Sequence, residues 1–104
     1  MTATTITSER KNEAISFLRA EWGEEKADEV ITICQNQPLN ISKDEFMKHV
    51  TMCGGNWGAM MLSGIKELAP EVYEAMPDKL GWCGEYAFAA VCHTIELLGV
   101  DFAA

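Results

Sequence analysis

Apolar residues recur at spacings of three and four along the whole chain, and the alternation typical of strands is missing. That period predicts helices throughout. Ser8 stands at a cap position, and Ala14, Ile15, Phe17, Leu18 and Trp22 form a stripe that stops at Gly23, marking a first helix. Glu24 to Asn36 places Ala27, Val30, Ile31 and Cys34 on one helical face. Glu24, Glu25, Asp28 and Glu29 lie mostly outside that face, in the first turns where the macrodipole favours anions. Pro38 closes this second helix.

Ser42 followed by Glu45 is a capping box, which opens a third helix with a core face of Phe46, Met47, Val50 and Cys53. Gly54-Gly55 then breaks the chain. Trp57, Met61, Ile65 and Leu68 predict the core stripe of a fourth helix, capped by Asn56 and ended by Pro70. A helical turn is expected over Glu71 to Met76 and a loop over Pro77 to Gly81. The last helix spans Trp82 to Leu98 and is closed by Gly99. Apolar residues surround nearly its whole circumference, the mark of a buried helix. The expected fold class is therefore all-α: a compact single-domain bundle of five to six short helices, with the C-terminal apolar helix (about 82–98) central. The small residues Gly81, Gly84, Ala87, Ala89 and Ala90 would also suit close approach by a second copy, so a homodimer or obligate homo-oligomeric subunit is an alternative.

Length supports this architecture. A chain of 104 residues predicts one domain over 1–104, with 1–7 a flexible tail. Such a core buries roughly two-thirds of the surface exposed by the unfolded chain. At 48% apolar and 23% charged residues, the composition is globular rather than disordered. Met1 to Arg10 has neither the basic nor the apolar region of a secretory signal, so a cytoplasmic location is expected, with Cys34, Cys53, Cys83 and Cys92 as reduced thiols. The apolar stretch from Trp82 to Val100 is interrupted by Glu85, His93 and Glu96, and no membrane span is expected.

Charge narrows the function classes. Sixteen acidic and eight basic residues give a net charge of −8, and the lysines are scattered, which argues against direct nucleic-acid binding. A helix-turn-helix built on Trp57 to Leu68 would offer one cation, Lys66. The Gly54-Gly55-Asn56-Trp57-Gly58 turn could offer backbone N–H groups to an anion but has no Lys or Arg beside it, and a tight helix junction is expected there.

His49 and Cys53, four apart, together with Cys92 and His93 supply the ligand types of a tetrahedral zinc site. Their spacing is unlike the tight pairs of such sites, and adjacent residues on a helix point about 100° apart. His49 beside Cys53 also resembles a thiol–base pair, without an oxyanion loop. No hydrolase, metalloprotease, phosphate-loop or dinucleotide motif is present, so neither a catalytic residue nor a cofactor is expected.

The remaining feature is Glu21 to Glu29, where Glu21, Glu24, Glu25, Asp28 and Glu29 face one base, Lys26. An acidic helix surface keeps a protein soluble, and it can also dock a basic partner. The expectation is a small, acidic, non-enzymatic protein-binding or regulatory module, acting as an inhibitor of a basic, nucleic-acid-binding protein. The alternative is a structural metal- or thiol-site protein using His49, Cys53, Cys92 and His93.

Overall fold

The computed structural model describes residues 8–51, 57–77 and 84–101. Six helices are present among the described residues: α1 (Ser8–Trp22), α2 (Glu24–Asn36), α3 (Lys43–Lys48), α4 (Trp57–Leu68), α5 (Pro70–Ala75) and α6 (Gly84–Leu98). No strand is found among the described residues; an isolated parallel bridge joins Ser42 and Asp101. The protein is a small all-α domain. Its Cα radius of gyration, 12.5 Å, matches the ~13 Å of a single 100-residue unit. The expected tail over 1–7, the Gly54-Gly55 break with its Asn56 cap, positions 78–81 of the expected loop and the expected start of the last helix at Trp82 lie outside the described residues.

The punctuation seen in the sequence sets most of these boundaries. Gly23 donates to the Arg19 carbonyl at 3.1 Å and accepts from the Ala27 N–H at 3.0 Å, so α1 passes into α2 through one residue. Ser42 caps α3 by accepting the Glu45 N–H at 3.2 Å. Pro70 lacks the N–H that would continue α4 and occupies the first turn of α5. At the end of α6, Gly99 takes φ +95°; its N–H donates to the Glu96 carbonyl at 3.0 Å and the Val100 N–H to that of Ile95 at 3.3 Å. These two bonds form a Schellman closure.

Two expectations change here. The third helix does not reach Cys53: His49 donates to Phe46 and Val50 to Met47 in three-residue turns, ending α3 at Lys48. Val50 and Thr51, both β-branched, follow this tightened turn and are poor continuers of a helix. Trp57, placed by its spacing on the core stripe, is 52% exposed at the start of α4. The buried face of that helix is Met60, Met61, Leu62, Gly64 and Ile65.

α6 packs against α1, α2 and α4, while α2 also meets α1 and α5, and α5 meets α4. The last helix is central, as expected, but not buried all round. Ala90, Val91 and Thr94 to Leu98 are enclosed, whereas Cys92 and His93 are half-buried and Phe88 is exposed. Leu18, Val30, Cys34, Phe46, Ile65, Val72, Val91, Ile95 and Leu98 form one continuous core fed by all six helices. Each large aliphatic or aromatic side chain in it stabilises the fold by about 1.5–3 kcal/mol. α3 is anchored by the Phe46 ring, which lies so close to Gly64 that a Cβ there would sit 2.7 Å from Phe46 Cζ.

Candidate protein-binding face

The buried stripe of α2, Ala27, Val30, Ile31 and Cys34, turns the opposite side of the helix outward. Glu21, Glu24, Glu25 and Glu29 are exposed there and at the end of α1, while Asp28 is half-buried. The five predicted acids therefore gather at the α1–α2 corner. They are not equally free. Arg19 Nε donates to Asp28 Oδ1 at 2.8 Å, tying α1 to α2, and Lys26 Nζ lies 3.7 Å from Glu29 Oε1. Both pairs are solvent-exposed and contribute at most about 1 kcal/mol each.

The acidic surface extends onto α5 through a feature invisible in the local sequence. Glu29, Ile33 and Gln37 follow at four-residue spacing, the first two on α2 and Gln37 just beyond its end, and α5 packs alongside. Between the helices runs an open groove of about 400 Å³, lined by Glu29, Ile33, Pro70, Glu71, Glu74 and Ala75. Gln37 Nε2 donates to Glu71 Oε1 across its end. Its lining combines apolar surface from Ile33, Pro70 and Ala75 with three carboxylates from two helices.

The described histidine and cysteine candidates, His49, Cys92 and His93, do not form a metal-holding group. His49 is exposed at the C-cap of α3, and Cys53 lies outside the described residues. The early end of α3 removes the helical turn that was to place those two on one face. Cys92 and His93 sit half-buried on α6. Among the described residues, no three His, Cys, Asp or Glu side chains are arranged to hold a metal ion. Burial pushes the Cys34 thiol up to about 12 and the Cys92 thiol up to about 11, so both are protonated at neutral pH. Nucleophilic attack and metal ligation both require the thiolate.

His93 belongs instead to a polar cluster between α1 and α6 that the sequence pattern did not disclose. Glu96, one turn on, has a side chain only 7% exposed and pairs with Arg10 from α1. The His93 ring, with Nδ1 3.2 Å from Glu96 Oε1, donates an N–H to this carboxylate and lies 4.7 Å, centroid to centroid, from Phe17. Burial first, then the Arg10 guanidinium, lowers the His93 pKa against an opposing pull from Glu13. The available signal was the i,i+3 spacing of His93 and Glu96 on an otherwise apolar helix. The cluster is a clasp between helices, with its carboxylate already satisfied.

No α-helix among the described residues is long and apolar enough to cross a membrane. Comparison of the chain with protein-family models, with curated proteins and with solved structures finds no match.

Proposed function

We propose that this protein is a non-enzymatic binding module that docks a basic protein partner through the acidic α1–α2 corner. The observation that carries this reading is the outward display of Glu24, Glu25 and Glu29 from α2, whose opposite face is locked into the core, with Glu21 exposed beside them at the end of α1. A net charge of −8 adds long-range attraction for a cationic surface and speeds encounter with it. A nucleic-acid-binding protein presents such a surface, and occupying it makes the module an inhibitor of that partner. The test is retention of proteins from lysate of the source organism on the immobilised protein, eluted stepwise with salt. A basic protein retained at low salt and released at high salt is the expected result. Retention indifferent to salt would count against an electrostatic face.

A further inference from the structure

The α2–α5 groove opens beside Glu29 of the acidic corner, and its lining states what kind of group fits it. Three carboxylates, Glu29, Glu71 and Glu74, share this lining with the apolar Ile33, Pro70 and Ala75. A bare metal ion does not match this lining, since no metal-holding set of three donors is present among the described residues. A lysine stem would lie on the same apolar surface, but its ammonium is a compact, strongly hydrated point charge that matches no carboxylate pair. A guanidinium on a three-carbon stem uses both parts: the stem lies along apolar surface, and the weakly hydrated planar fork takes carboxylates two at a time. The existing neutralisation is weak, consisting of exposed Lys26 beside Glu29 and the uncharged amide of Gln37 on Glu71. Glu74 has no ion-pair partner among the described residues. The volume, about 400 Å³, accommodates one long side chain rather than a whole helix.

We infer that the groove is an arginine-selective pocket, which seats one arginine of a basic peptide segment with its stem on Ile33, Pro70 and Ala75 and its guanidinium among Glu29, Glu71 and Glu74. This rests on the basic-partner reading above and specifies the chemistry of the anchoring contact.

The test is fluorescence anisotropy of the full chain with three labelled nine-residue glycine–serine peptides. Each carries three evenly spaced arginines, three lysines or three citrullines. The arginine peptide is expected to bind at least five-fold more tightly than the lysine peptide, and the citrulline peptide not at all. Glu71→Gln combined with Glu74→Gln, both at exposed positions, is expected to weaken arginine-peptide binding ten-fold or more and remove the preference over lysine. Glu24→Gln combined with Glu25→Gln is expected to weaken binding of both basic peptides alike and leave that preference in place. Circular dichroism confirms that each variant is folded. Equal affinity for arginine and lysine peptides, or an arginine preference that survives the groove substitutions, overturns the pocket while leaving the acidic-corner reading intact. Absence of binding to either basic peptide overturns both.

Discussion

Gly64→Ala separates the close approach of α3 and α4 from ordinary helix propensity. In an open helix interior, the change stabilises by about 1 kcal/mol, because Ala loses less backbone entropy than Gly. Here the added methyl meets Phe46 Cζ at 2.7 Å and Val50 Cγ2 at 3.1 Å, well inside normal contact. The Phe46 ring is fully buried and has no solvent to retreat into. Overpacking a filled core costs about 1–3 kcal/mol, so the steric effect outweighs propensity and the variant loses about 1 kcal/mol net. A domain of this size then melts roughly 4–8 °C lower. Urea denaturation of wild type, Gly64→Ala, Phe46→Leu and the double variant closes a cycle. The smaller leucine makes room for the methyl, so the double variant should be less destabilised than the sum of the singles by at least about 0.5 kcal/mol. A stabilised Gly64→Ala, or strict additivity, would refute this account of how α3 is held.

Three further outcomes follow from the polar clasp and the end of α6. Glu96→Ala leaves the His93 N–H without its carboxylate and deprives Arg10 of a partner; with Arg10 half-exposed, thermal and urea unfolding should show a loss of about 2–3 kcal/mol. Because the His93 pKa is lowered in the folded state, the unfolded chain binds the extra proton first, so stability falls as pH drops below the ordinary imidazole value near 6.5. His93→Asn, which keeps an N–H near Glu96, should flatten that slope in urea titrations run from pH 7.5 to 5.5, and an unchanged slope would assign it elsewhere. Gly99→Ala is strained at φ +95° and brings a Cβ to 3.0 Å from the Asn40 backbone nitrogen; a loss of about 1–2 kcal/mol is expected by the same assay.

The parts of this fold that were legible in the sequence are those where the end of an apolar stripe coincides with a glycine or a proline. Gly23, Pro38, Pro70 and Gly99 each stand where an apolar stripe stops, and the bounds of α1, α2, α4 and the end of α6 agree with them. α3 has no such stop before Gly54, so its early end, brought about by three-residue turns at His49 and Val50, was not readable from spacing. Trp57 shows the limit of periodicity at a helix terminus, where the first residue can keep the core spacing yet point away from it. The acidic corner was legible because its five carboxylates are nearly contiguous in the chain. The groove was not, since Glu71 and Glu74 join Glu29 only through the packing of α5 on α2. Glu96 was read as an interruption of an apolar run, whereas Arg10, 86 positions away, makes it part of the interior.

The acidic corner is proposed as the working face, and exposed Trp57 offers the contrasting surface. The most direct measurement compares lysate capture by wild type, by Glu24→Lys combined with Glu25→Lys, and by Trp57→Ser, each shown to be folded. The account predicts that the charge-reversed protein no longer retains the salt-sensitive basic partner, while Trp57→Ser retains it as wild type does. Capture that survives charge reversal and is lost with Trp57→Ser would contradict it.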